Sequence, residues 1–135
     1  MSVPWIFRDD SDVEFIFTAR QLAASVIKSC VDTKKGRYEG TVSQPVAEVA
    51  WEVYGHVKRA NSIYPTNKHE AQLRRDEFLL ARAKLWDLAG RIGIAHEFYH
   101  FSDTDMDEMA NLLQKELSLV KEMLDSDRKR YKNLP

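Results

Sequence analysis

The sequence predicts an all-α protein, an up-down-up-down four-helix bundle. Three observations carry this. Five glycines and four prolines are few for 135 residues, which favours long uninterrupted helices. Apolar residues recur at three- and four-residue spacing along four long stretches, and short connections between such stretches make antiparallel neighbours. No alternating strand pattern competes, apart from the ambiguous Phe15-Ile16-Phe17. The length fits one domain over residues 1–135, with a short N-terminal arm (about 1–10) and a basic C-terminal tail (about 128–135).

The first helix is expected from Ser11 or Asp12 to Asp32. Acidic residues crowd its start and Lys34-Lys35-Gly36 its end, the order that the helix dipole favours. Val13, Ile16, Phe17, Ala23, Val26, Ile27 and Cys30 form its apolar face. The second is expected from near Thr41, where Thr41-Val42-Ser43-Gln44 has the form of a capping box and Pro45 falls in the first turn. Its core set is Val46, Val49, Ala50, Val53, Tyr54 and Val57, and it ends within Arg59–Ile63. Phe15, Leu22 and Trp51 are apolar beyond these stripes, available for packing between subunits or for a wider stripe inside a monomer.

The third helix opens near Asn67 and runs to Tyr99, with Leu73, Leu79, Leu80, Ala83, Trp86, Ala89 and Ile92 as its core face. Gly90 and Gly93 lie inside it and suggest close packing or a slight bend. The fourth opens at residues 102–104. Met106, Met109, Leu113, Leu117, Val120 and Leu124 form a heptad-like stripe along it. Loops of about six to nine residues join the helices.

Composition excludes several classes. The chain is 44% hydrophobic and 30% charged, an ordinary globular balance and not a disordered one. Cys30 is the single cysteine, so an internal disulfide is excluded and a reducing cytoplasm fits. The first twelve residues lack the basic and apolar regions of a signal peptide, and no run is long enough to span a membrane. Net charge is −1 but unevenly spread. Residues 58–84 hold seven cations against three carboxylates, and residues 128–135 hold four cations and no carboxylate. Residues 102–127 hold eight carboxylates against two lysines, so an anionic partner would meet the earlier bend and the tail.

His96-Glu97-Phe98-Tyr99-His100 matches the H-E-x-x-H pattern, in which two histidines one helical turn apart hold zinc and the glutamate is a general base. A small zinc-dependent hydrolase is therefore the competing enzymatic reading. Its context is unfavourable. There is no sheet to present a substrate, and the motif falls on the last turn of the third helix, where the dipole already favours histidine. Cys30 lies on an apolar face and reads as a buried small hydrophobe. No phosphate-binding glycine loop and no cysteine cluster occurs, so the expected protein is not an enzyme and needs no cofactor.

The most distinctive stretch is Arg59-Ala60-Asn61-Ser62-Ile63-Tyr64-Pro65, followed by Arg74-Arg75-Asp76. Asn61 and Pro65 define the turn between the second and third helices. With the helix-four ending Lys121-Glu122-Met123-Leu124-Asp125-Ser126-Asp127-Arg128-Lys129, these segments resemble a family of small bacterial four-helix-bundle proteins. That family includes the proteins encoded by intervening sequences in ribosomal RNA genes and the accessory variability determinant of diversity-generating retroelements. The resemblance covers most of the chain, most closely its last three helices. It implies a pentameric barrel of bundles that binds nucleic acid and the element's reverse transcriptase in support of mutagenic copying, without chemistry of its own. Members with that role are strongly basic. At net charge −1, affinity for phosphate has to come from a local patch or from the protein partner.

The expected contact residues are Arg59, Arg74, Arg75, Arg82 and Lys84, with Arg128, Lys129 and Arg130 as a mobile basic extension. Glu70 and Glu77 stand at ion-pair spacing from Arg74 on its own helix, the arrangement of a solvated helix face. Arg75 has no such neighbour and is the freer of the two to meet a ligand. A bundle with a purely structural, oligomeric role is the remaining reading.

Overall fold

The computed structural model describes residues 12–32 and 38–135; the expected N-terminal arm and the Lys34-Lys35-Gly36 segment lie outside them. Four helices follow in order: α1 (Glu14–Asp32), α2 (Gln44–Ser62), α3 (Lys68–Tyr99) and α4 (Asp103–Arg130). A π-helical turn, Glu39–Ser43, leads into α2. Among the described residues there is no strand. Helix α1 packs on α2 and α4, and α3 packs on α2 and α4, so the helices stand at the corners of a square. Ser43 before α2 meets Tyr99 at the end of α3, and Arg74 near the start of α3 meets Asp127 near the end of α4. Neighbours therefore run antiparallel, as an up-down-up-down bundle requires.

The loops that follow α2 and α3 are tighter than expected. Residues 63–67 join α2 to α3, and residues 100–102 join α3 to α4. Both following helices start on side-chain caps. Asn67 Oδ1 accepts from the Glu70 amide at 2.9 Å, and Glu70 reaches back to accept from the Thr66 amide and hydroxyl at 2.8 and 2.7 Å. Those Thr66 hydrogen bonds hold the Glu70 carboxyl below its ordinary pKa. Ser102 Oγ accepts from the Asp105 amide at 3.1 Å. At the end of α3, His100 takes the left-handed conformation (φ 51°) that ends many helices, a position more often filled by glycine.

The capping box expected at Thr41 does not form. The chain is already in the π-helical turn there, and Ser43 makes no capping bond. Tyr99 donates its hydroxyl proton to the Tyr38 carbonyl at 3.0 Å, so Ser43 Oγ is the donor in its 2.6 Å bond to Tyr99. Pro45 does sit in the first turn of α2. Helix α2 runs through Asn61 to Ser62, and Ile63 is its extended C-cap, so Asn61 does not define the turn.

The core face of α3 is only in part the expected one: Ile92 is buried and Leu79 and Ala89 pack partly buried against the core, but the centre of the face lies elsewhere. Phe78, Ala81, Leu85, Leu88, Ile92 and Ala95 point inward, whereas Leu73, Leu80 and Trp86 are 44%, 46% and 64% exposed. This helix is apolar on more than one face, so spacing alone could not choose between them. Phe15 and Leu22 also belong to the core, with Phe15 edge-on to Phe78 at 5.4 Å, and only Trp51 of the expected surplus faces solvent. A Cβ added at Gly90 or Gly93 would meet nothing within 4 Å, so neither glycine permits a close helix approach.

Helix α4 turns a carboxyl into the core. Glu116 is 0% exposed, and neither of its oxygens has a hydrogen-bond partner. Burial pushes its pKa up to about 9, against the pull of Lys115 and with a further push from Glu14. Glu116 is therefore a neutral acid at neutral pH.

Candidate functional site

Arg74 and Arg75 are neighbours in sequence, but a step of one residue on a helix is a turn of about 100°. Arg74 faces inward and is 4% exposed. Its Nε donates to Asp127 Oδ2 at 2.7 Å and its Nη2 to Oδ1 at 3.4 Å. Nη1 donates to the carbonyls of Ala60 and Ile63 at 3.2 and 3.1 Å, capping the end of α2. The guanidinium lies 5.2 Å from the Phe78 ring centroid and 5.8 Å from that of Tyr131. Arg74 thus ties α2, α3 and α4 together. It is not an exposed contact residue, and its partner is not on its own helix. Glu70 is taken by Thr66, and Glu77 binds His56 at 2.7 Å and Arg59 at 3.3 Å.

Arg75 faces the seam between α3 and α4. Its Nη1 reaches the Leu124 carbonyl at 3.4 Å, so it is not wholly unpartnered. It lines a hollow of about 390 Å³ together with Lys68, Gln72, Arg128, Tyr131 and Lys132. The one carboxylate there, Asp127, is already held by Arg74. Four cations therefore converge on a concave surface with no free counter-charge among its lining residues. A phosphate or a carboxylate would find several donors there.

The other expected contact residues divide. Arg59 and Lys84 lie on the opposite seam, where Arg59 pairs with Glu77 and Lys84 binds Glu52 at 2.7 Å. Arg82 is exposed, two turns beyond Arg75. Arg128, Lys129 and Arg130 form the last turn of α4 and not a mobile extension, with Arg130 5.8 Å from the Tyr131 ring centroid. The tail beyond is anchored, since the Lys68 amide donates to the Pro135 backbone oxygen at 2.9 Å. Lys68 and Lys132 were missed, though a signal existed. Lys68, Arg75 and Arg82 are spaced by seven, as are Lys121 and Arg128, and Lys132 follows Arg128 by four. Seven residues are nearly two turns, so Lys68, Arg75 and Arg82 keep one face of α3 and Lys121 and Arg128 one face of α4, with Lys132 two residues past its end.

The H-E-x-x-H segment does not keep its register. His96 lies in the last turn of α3, stacked on Phe101 with ring centroids 6.0 Å apart, and its Nδ1 is buried without a partner. His100 is the left-handed cap outside the helix, so its ring is tilted 72° to that of His96, with centroids 6.4 Å apart. Glu97 is exposed. Among the described residues, no three histidine, cysteine or acidic side chains gather as a metal site.

No helix among the described residues is long and apolar enough to cross a membrane. The chain matches no family model, no curated protein and no solved structure.

Proposed function

We propose that this chain is a non-enzymatic accessory protein that binds an anionic partner through the hollow between α3 and α4. The supporting observation is the convergence of Lys68, Arg75, Arg128 and Lys132 on one concave surface whose only carboxylate is already paired. The resemblance to the retroelement variability determinant makes the partner a reverse transcriptase, its template RNA, or both, in a cytoplasmic complex that supports mutagenic cDNA synthesis. The same resemblance makes the protein a homo-oligomer, a pentamer, and the exposed Trp51 offers apolar surface for association. A chain of net charge −1 has little general attraction for nucleic acid, so such binding must be local.

The test is a titration of labelled single-stranded RNA with the full chain. Charge reversal at Arg75 and Arg128 should weaken binding at least about tenfold, as loss of two phosphate contacts would. Reversal at Arg59 and Lys84, on the other seam, should leave it nearly unchanged. Equal weakening by both pairs, or none by the first, would remove the hollow from the reading. Sedimentation of the untagged chain tests the pentamer, against which a clean monomer would count.

A further inference from the structure

Along the same seam, beyond Arg82, the surface changes from basic to apolar. Trp86, Gly93, Met106, Ala110 and Leu117 line a groove of about 290 Å³ between α3 and α4. Its depth comes from what is missing. Gly93 has no side chain, the space where its Cβ would stand is empty to 4 Å, and Ala110 opposite is small. One wall is Trp86, 64% exposed, a rigid aromatic of the kind that anchors protein contacts. Met106, half-buried, supplies an adaptable apolar side chain over the buried Met109 at the groove floor.

The two ends of the groove carry opposite charge. Arg82 stands one turn before Trp86, and Lys121 one turn after Leu117. Glu97 stands one turn after Gly93, Asp103 three residues before Met106 and Asp107 directly after it. All five are exposed, and none makes an ion pair among the described residues. The span from Arg82 to Glu97 is about 22 Å at 1.5 Å per residue, the length of a four-turn helix.

We propose that this groove seats an amphipathic α-helix of a partner protein, running with a basic N-terminal turn at Glu97, Asp103 and Asp107 and an acidic C-terminal turn at Arg82 and Lys121. An apolar stripe at three- and four-residue spacing fills the groove beside Trp86. The backbone dipole of the incoming helix favours the same direction, because its positive end meets the three carboxylates. The opposite direction sets like charges against each other at both ends. This surface is separate from the basic hollow and does not depend on what that hollow binds.

The probe is a labelled synthetic helical peptide of eighteen residues, with leucines along one stripe, lysines in its first turn and glutamates in its last. Its twin has the two charged turns exchanged. Anisotropy with the full chain at low salt should show the first peptide binding at least about tenfold tighter than the twin, the discrimination expected of complementary exposed charges. Gly93→Leu should abolish binding, because the leucine fills the groove while the helix is kept. Arg75→Glu should leave peptide binding unchanged even if it abolishes RNA binding, which separates this surface from the hollow. Equal binding of the twin, or binding that survives Gly93→Leu, overturns the proposal. So does an oligomer that Gly93→Leu dissociates, which would make a second copy the occupant. A gain in peptide affinity on Trp5→Ser and Phe7→Ser overturns it too, by making the chain's own N-terminal segment the occupant.

Discussion

Asp127 and Glu116 lie eleven residues apart on the inward face of α4, both withdrawn from water, and the bundle handles them in opposite ways. Asp127 is met by a guanidinium, and the donor of Arg74 not aimed at the carboxylate is used on the carbonyls of Ala60 and Ile63. Glu116 is met by nothing. The nearby cation, Lys115, turns outward toward Glu14 at 3.6 Å. Burying a carboxylate costs several kcal/mol unless it is paired or takes up a proton. The first acid is paired and the second is protonated. The comparison teaches that a buried acid is not by itself a sign of either stability or function. What decides is whether a donor reaches it.

Removing the cation from the first acid should have the larger effect. Arg74→Met leaves Asp127 charged and alone, strips the Ile63 carbonyl of its donor and leaves the Ala60 carbonyl with the Ile63 amide alone, which should cost about 3–5 kcal/mol in denaturant unfolding. The double variant Arg74→Met with Asp127→Leu should recover part of that loss. A single-variant cost below about 1 kcal/mol would mean that the pair does not hold the three helices together.

The second acid gives a smaller effect with a defined pH window. The folded-state pKa of Glu116, about 9, is above its ordinary 4.5, so the folded chain holds a proton that the unfolded chain releases between those values. The stability it contributes is complete below pH 4.5 and is lost as pH rises toward 9. Wild-type unfolding free energy should therefore fall across that window by on the order of a few kcal/mol, and Glu116→Gln should remove most of the slope. An unchanged slope in Glu116→Gln would show that other groups carry it. The smallest effect sharpens the cause: Lys115→Met should move the Glu116 titration upward and Glu14→Gln should move it downward. Both shifts should be slight, because the Lys115 and Glu14 side chains are half or more exposed.

Much of the architecture was legible in the sequence. Asn67 and Ser102 marked the starts of α3 and α4, since each is a side-chain cap before a long periodic stretch. The core faces of α1, α2 and α4 were mostly readable from spacing. The face of α3 was readable only at Ile92 and in part at Leu79 and Ala89, because Leu73 and Leu80 are spaced by seven just as Phe78, Leu85 and Ile92 are, and only the neighbouring helices choose between them. Buried polar groups were also hidden. Ion-pair spacing within its own helix points Arg74 to Glu70 and Glu77, yet its partner lies 53 residues further on. Glu116 sits inside an otherwise solvent-like Lys-Glu pattern. Of the site, Arg75 and Arg128 were found by charge. Lys68 and Lys132 join them only when the seven- and four-residue spacings are read across two helices that meet in space.

Arg74 also bears on the order in which the chain folds. Its donors satisfy an acceptor near the end of α4 and two at the end of α2, so the cluster is complete only when three helices have met. Contacts that close so late are absent from most folding transition states, and weakening them speeds unfolding more than it slows folding. The loss in Arg74→Met should then appear mainly on the unfolding arm of the kinetics, making this arginine a guard of the native lifetime rather than a nucleus of the fold.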